Sequence, residues 1–190
     1  LAGLPLVVLG LAIAGLIGGL VLAYQFEPHV RNRIDGYLHG EGDTYQVDRA
    51  LDCFRSGGLY GTGPGEGTAK FHLPEAQTDY IFSVIGEEFG ALACLALALL
   101  YLAIVLRVLL QLLDEDDPFT LIAATGLVAQ FGGQALINMS VNLALAPSKG
   151  MTLPFISHGG SSFLATAVGM GLLLALTRRN RHLKSSPYLQ

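Results

Sequence analysis

Charged residues are scarce in this sequence, and the few present are unevenly distributed. Asp, Glu, Lys and Arg make up 14% of the 190 residues, against about 25% in an average soluble domain. A helix needs about 20 apolar residues to cross a bilayer. The sequence excludes a single soluble core and predicts an all-α integral membrane protein, because four stretches contain neither charge nor histidine: 4–24, 89–106, 119–146 and 163–177.

Basic charge and cysteine are also sparse. The net charge of −4 and the pI near 5.7 exclude the basic face that a nucleic-acid partner requires. Cys53 lies in a polar loop and Cys94 in an apolar block, so we expect them at different depths and unpaired. No CxxC motif or Cys/His spacing is present, and we predict no metal site from spacing.

The apolar blocks define a membrane topology. A large extracytoplasmic loop is predicted at 26–79 and a cytoplasmic tail at 178–190, because basic residues that directly follow a span mark the inner side. The chain begins with Leu1 and no basic leader, which suggests the C-terminal piece of a longer protein. The four predicted spans are about 4–25, 89–113, 119–146 and 162–177.

The long loop contains two organised segments. Val47, Leu51 and Phe54 recur at helical spacing, which predicts a short amphipathic helix that ends near Gly57. Glycines then alternate around Pro64, a pattern that predicts a backbone folded closely against another element.

Acidic residues follow the glycine-rich segment, at the border between the loop and the second span. Partial desolvation at this border would raise the pKa of Asp79 towards that of a general base. The alternative is an acid that only complements the dipole of the following helix. Glu75 could reach the same surface, and Glu87 and Glu88 are expected in or near the first turn of the span.

Polar residues also occur in and after the third predicted span. Gln130, Gln134, Asn138 and Asn142 recur every four residues and form one polar stripe. Two interpretations stay open for this stripe: hydrogen bonds between helices, or a hydrated groove for a polar head group. In the loop that follows, Lys149 could contact a phosphate or could be an ordinary solvated cation.

Ordered motifs from about residue 45 to residue 179 resemble a known family. YQVDRAL, GGLYGTGPGEGTAKFHLPEAQTDYIFSVIGEEFG, QALINM and KGMTLPFISHGGSS are similar to the C-terminal half of the SEDS proteins (shape, elongation, division and sporulation), the FtsW/RodA/SpoVE family. The GPGEGT and LPEA forms are closer to its division branch, FtsW. The resemblance implies the last four helices of a bundle of about ten, in the bacterial inner membrane at the division septum.

The same resemblance implies a peptidoglycan glycosyltransferase that polymerises lipid II, with Asp79 as the essential catalytic acid of the large loop. Lys70, Arg49 or a divalent cation (Mg or Mn) would stabilise the leaving pyrophosphate; no other cofactor is implied. The implied partners are lipid II, a class B penicillin-binding protein and other divisome proteins. The remaining candidate substrate-binding residues are Glu75, Thr78, Lys149, Ser157, Gly159, Gly160 and Ser161.

Two positions depart from the pattern of the family. Members generally have His where this chain has Gln77, and Tyr where it has His158. Two other functions stay open beside the polymerase: a lipid II flippase, and a scaffold without catalytic activity. We expect the 190-residue chain alone to be inactive, because donor-site residues would lie in helices that it does not contain.

Overall fold

The computed structural model describes the chain at residues 14–15, 18–19, 21–28, 30–31, 45–147 and 149–178. The described residues form helices and turns without β-strand, which confirms the all-α class. Most of the predicted span 4–25 and the tail 179–190 lie outside them. The fold around the site consists of helices α1 (Tyr45–Gly57), α2 (Ile81–Leu112), α3 (Pro118–Asn142) and α4 (Gly160–Thr177).

Three of these helices, α2, α3 and α4, are long and apolar enough to cross a membrane, so the described residues contain three of the four predicted spans. Their large apolar side chains are mostly exposed, as expected of surfaces that face lipid or other helices. The buried core lies between α2, α3 and the loop that precedes α4, where Tyr101, Phe131 and Leu153 pack together. Cys53 and Cys94 are both buried free thiols.

Helix α2 is broken at Gly90. Its 32 residues would extend about 48 Å as a straight helix, well beyond a hydrocarbon core of about 30 Å. Gly90 adopts φ 82° and ψ 174°, which no helix contains. The break separates an outer segment, 81–89, from the segment 91–112, which is long enough to span. The apolar block in the sequence begins at Phe89, so it marks this break and not the start of the helix at Ile81.

The glycine-rich loop after α1 closes this break. Thr62 N and Gly63 N donate to Glu87 O (2.9 Å) and Glu88 O (3.1 Å) on the outer segment. On the other side of the break, Ala91 N donates to Gly58 O at 2.9 Å. The loop therefore replaces hydrogen bonds that the helix loses at the break, which confirms the expectation of a backbone folded closely against another element.

Asp117 and Pro118 fix the start of α3, whereas no side chain caps the start of α4. The Asp117 carboxylate accepts from Thr120 N at 3.1 Å, and Pro118 occupies the first helical position. Helix α3 ends at Asn142, four residues before the end of the apolar block, because Ala144 adopts φ 60°. Helix α4 takes Gly160 to Ser162 into its first turn, so its 18 residues reach about 27 Å.

Helix α1 packs against the outer segment of α2 through its smallest side chains. Ala50, Cys53 and Gly57 are buried, and a Cβ added to Gly57 would lie 2.0 Å from Gly86 O. The apolar residues at helical spacing flank this contact, with the Phe54 ring 5.9 Å from the Phe82 ring. The outer segment thereby becomes the centre of a small helical assembly, on which the candidate site is built.

Candidate active site

Two loops that are distant in sequence meet at the start of α2. The first, residues 75–80, precedes α2; the second, residues 149–159, joins α3 to α4. Ser157 Oγ donates to Thr78 O at 2.5 Å, and His158 N donates to Gln77 O at 2.9 Å. The structure thus brings together two motifs that are about 70 to 80 residues apart in the sequence.

Asp79 lies at this junction, two residues before α2 begins. Its side chain is partly buried, and a Cβ added to Gly150 in the second loop would lie 3.0 Å from Asp79 Oδ2. Burial raises the pKa of the Asp79 carboxyl above its usual value, and the nearby negative charge of Glu75 raises the pKa further. A carboxylate with a raised pKa binds a proton more strongly, so this environment suits a general base.

Glu75 and Thr78 shape the loop that carries Asp79. The Thr78 hydroxyl donates to the Glu75 carboxylate at 2.8 Å, and Asp79 N donates to Glu75 O at 3.1 Å. Glu75 adopts φ 55°, a left-handed conformation that is uncommon for a side chain other than glycine. This tight turn accounts for the closeness of the two carboxylates, Glu75 and Asp79.

The polar stripe of α3 binds these two loops. Asn138 Nδ2 and Asn142 Nδ2 both donate to Asp79 O, at 2.8 and 3.0 Å. Gln134 Nε2 donates to Thr152 O in the second loop at 2.9 Å. Three of the four stripe residues therefore hydrogen-bond to the site loops, whereas Gln130 is exposed. The spacing indicated the stripe, but backbone carbonyls as its acceptors have no signature in a sequence.

Two of the candidate phosphate-binding cations have partners inside the fold. Lys70 Nζ pairs with the Glu88 carboxylate, and both side chains are more than four-fifths buried. Arg49 lies 3.4 Å from Asp52 on its own helix and stacks over the Tyr45 ring. By contrast, Lys149 is exposed in the second loop, directly before Gly150. Among the three predicted cations, only Lys149 belongs to a loop that contacts Asp79 in the described part of the chain.

Glu87 has a role that the sequence did not reveal. Its fully buried carboxylate accepts from Ala69 N at 2.7 Å and from Lys70 N at 2.9 Å. Burial raises the pKa of the Cys53 thiol to about 12, and the nearby negative charge of Glu87 contributes to this increase. Since α2 starts at Ile81, Glu87 lies in its second turn, next to the first turn in or near which it was expected. It holds the turn 69–72 against α2.

An open groove of about 490 Å³ begins beside the junction. Both residues that depart from the family pattern, Gln77 and His158, line it and are joined by the backbone hydrogen bond described above. The candidate residues Gly159 and Gly160 line it at the start of α4, and Ser161 is exposed one residue further along. The remaining lining residues are Ile81, Ile156, Ser157 and Phe163.

Within the described ranges, no three or more His, Cys, Asp or Glu side chains gather into a group that could hold a metal ion. Asp79 has Glu75 as a neighbouring carboxylate, and Mg²⁺ is usually held by one or two carboxylates together with substrate phosphates. The divalent cation stays a prediction.

Comparison with known proteins identifies related chains. Residues 1–182 match the family FTSW_RODA_SPOVE, described as "Cell cycle protein". The chain is 45% identical over 181 residues to "Probable peptidoglycan glycosyltransferase FtsW" of Caulobacter vibrioides, covering 94% of this chain and 46% of that protein. A protein of the same name from Geobacter metallireducens is 43% identical over 154 residues, covering 78% of this chain and 41% of its own length. The chain thus spans less than half of each relative.

A solved structure shares the fold. One of its chains superposes with a TM-score of 0.64 at 27% identity, covering 90% of this chain and 48% of that chain. That structure is described as "Structural coordination of polymerization and crosslinking by a peptidoglycan synthase complex".

Proposed function

Because this chain belongs to the FtsW/RodA/SpoVE family of cell cycle proteins, we propose that the protein containing it is a peptidoglycan glycosyltransferase that polymerises lipid II. The observation that carries the proposal is the setting of Asp79. Its carboxylate is partly buried between two loops, beside a second carboxylate and at the start of a long apolar helix. Such a setting suits a base that acts on a lipid-linked sugar at the membrane surface.

In the proposed reaction, the Asp79 carboxylate removes the proton of an acceptor sugar hydroxyl. The hydroxyl oxygen then forms a bond to the anomeric carbon of the donor, and the bond from that carbon to the pyrophosphate oxygen breaks. The leaving undecaprenyl pyrophosphate takes the electron pair, and its negative charge requires a cation nearby. We assign this contact to Lys149, because its loop contacts Asp79, while Lys70 and Arg49 are paired with acids of the fold.

Substrate contacts are proposed along the groove. Gly159 and Gly160 begin α4 there, and Ser161 follows on its exposed first turn. The hydroxyl of Ser157 instead donates to the carbonyl of Thr78, so we propose that Ser157 and Thr78 shape the site and do not bind substrate directly.

The test is lipid II polymerisation by the full-length protein with its cognate transpeptidase, comparing the native form with Asp79→Asn at matched folded yield. We expect the variant to lose about 100- to 10,000-fold in rate, the usual contribution of a general base. Asp116→Asn is the matched control, because Asp116 is exposed in the turn between α2 and α3. Equal polymerisation rates for the native protein and Asp79→Asn would refute the assignment of Asp79 as the base, whereas no activity in either form would favour a flippase or a scaffold.

A flippase is less well supported. That interpretation depended on the polar stripe as a path for a head group, but Gln134, Asn138 and Asn142 donate their amide protons to the two site loops. Only Gln130 of the four stripe residues is left exposed.

We further propose an inner-membrane location at the septum and a class B penicillin-binding protein as partner. The relatives named FtsW support the first, and the fold shared with a chain of a complex that polymerises and crosslinks supports the second. The predicted arrangement, with loop 26–79 outside and tail 178–190 inside, places Asp79 on the same side as the crosslinking reaction. A fluorescent fusion that distributes evenly around the cell would contradict the septal assignment.

A further inference from the structure

We propose that Asn138 and Asn142 form an amide clamp that positions Asp79 for proton transfer; this inference rests on the function proposed above. The clamp consists of these two side chains on one face of α3 and the Asp79 carbonyl that both of them bind. A carbonyl oxygen has two lone pairs, so the acceptor capacity of the Asp79 carbonyl is filled by the two amides.

Asn142 fixes Asp79 relative to the start of α2. While its Nδ2 donates to Asp79 O, its Oδ1 accepts from Ser83 N at 3.0 Å and from Ser83 Oγ at 2.7 Å. Ser83 and Asn142 are both fully buried. Since Asp79 and Ser83 lie on either side of the first residue of α2, this one amide sets the angle at which the loop enters the helix.

Asn138 fixes Asp79 relative to the second loop. Its Nδ2 donates to Asp79 O at 2.8 Å and to Met151 O at 2.6 Å. Met151 follows Gly150, the residue that lies against the Asp79 carboxylate. The amide group of Asn138 therefore sets the distance between Asp79 and the second loop at Gly150.

Each of the four amide protons of the clamp has a hydrogen-bond acceptor. The second proton of Asn142 Nδ2 goes to Asn138 O at 2.9 Å, and both protons of Asn138 Nδ2 go to the loops. Neither an alkyl side chain nor a carboxylate can replace a fully used buried amide, because both lack the donors. Each of the two positions therefore requires a side chain with two hydrogen-bond donors, and a side chain that is only of similar size or only polar does not meet this requirement.

The clamp predicts a specific kinetic signature. It contacts the main chain of Asp79 and does not line the groove, so its loss displaces the carboxylate without removing a substrate contact. A displacement of about 1 Å at a reacting group costs about 100-fold in rate. We therefore expect Asn138→Ala to lower kcat by about 100-fold while KM changes by less than about twofold, a loss confined to the chemical step.

The experiment measures lipid II polymerisation kinetics for full-length Asn138→Ala and Ser83→Ala. Ser83→Ala removes only the 2.7 Å hydroxyl bond to Asn142 and leaves the Ser83 N bond, so it tests the clamp even where Asn138→Ala fails to fold. We expect a smaller fall in kcat, about 3- to 10-fold, again with KM unchanged. The control is Gln130→Ala, an exposed amide on the same helix that should leave both constants unchanged.

Hydrogen exchange separates this inference from the proposed function. In Asn138→Ala, amides of residues 76–80 and 151–153 should exchange faster than in the native protein, whatever reaction the site performs. Three results would overturn the clamp. The first is a native kcat in both Asn138→Ala and Ser83→Ala, and the second is a loss of kcat no greater than that of the control Gln130→Ala. The third is unchanged exchange of the amides of residues 76–80 in Asn138→Ala. Faster exchange in Asn138→Ala, together with full activity of Asp79→Asn, would instead support the contacts of the clamp and refute Asp79 as the base.

Discussion

Gly61 and Gly65 make a matched pair that tests how the glycine-rich loop docks on α2. Both have positive φ, 84° and 82°, and replacement of either by Ala imposes the same kind of backbone strain. A Cβ at Gly65 would meet no heavy atom within 4 Å, whereas a Cβ at Gly61 would lie 2.1 Å from Glu88 O. The difference in stability between the two variants therefore measures only the close approach of Gly61 to the backbone of α2.

The expected magnitudes follow from the contacts. An Ala forced into positive φ costs about 1 to 2 kcal/mol, and this is the whole effect expected at Gly65. At Gly61 the obstructing atoms are backbone, so the loop must lift away and lose the bonds from Thr62 N to Glu87 O and from Gly63 N to Glu88 O. Each lost bond adds about 1 kcal/mol, or more where a group is left buried and unpaired. We expect Gly61→Ala to cost about 3 to 5 kcal/mol.

The assay is equilibrium unfolding of the full-length protein in mixed micelles, with both variants compared with the native form under one detergent composition. We expect the free energy of unfolding to fall by about 2 to 3 kcal/mol more for Gly61→Ala than for Gly65→Ala. Equal losses would refute the reasoning, because they would mean that the loop does not touch the carbonyls of α2.

Two further substitutions test charges near the site. Glu75→Gln removes the negative charge that raises the pKa of Asp79 but keeps an acceptor for Thr78. Because a base works only above its pKa, the acidic limb of the profile of kcat/KM against pH should move to lower pH; no movement would contradict the coupling. Lys70→Met leaves the largely buried Glu88 carboxylate without its counter-charge, so the free energy of unfolding should fall by about 3 kcal/mol. A fall in kcat at native stability would instead place Lys70 on the leaving group.

The sequence predicts the helices of this chain better than it predicts their ends. Charge-free blocks located α2, α3 and α4, because a bilayer excludes charge from the whole length of a span. The start of α2 lies eight residues before the predicted 89, since the outer segment 81–89 carries Glu87 and Glu88 and is stabilised by α1 and its loop. Helix ends fixed by tertiary contacts leave no periodic pattern.

The candidate site, like the fold, can be predicted from the sequence only in part. Asp79 was identified by its place at the border of an apolar block and by the family motif, both of which are local. Its contact with Gly150 and its bonds from Asn138 and Asn142 join residues about 60 to 70 positions apart. Such contacts depend on the packing of whole helices, and their acceptors are main-chain carbonyls that every residue has.

The hydrogen bonds that the loop makes at the Gly90 break affect the order in which the protein folds and inserts. Before the loop 58–63 arrives, the carbonyls of Glu87 and Glu88 and the amide of Ala91 have no partners on the loop. Unpaired backbone groups are strongly disfavoured in hydrocarbon, so this end of α2 must stay in contact with water until the loop docks. We therefore expect loop docking to precede the burial of this end of α2 in the bilayer.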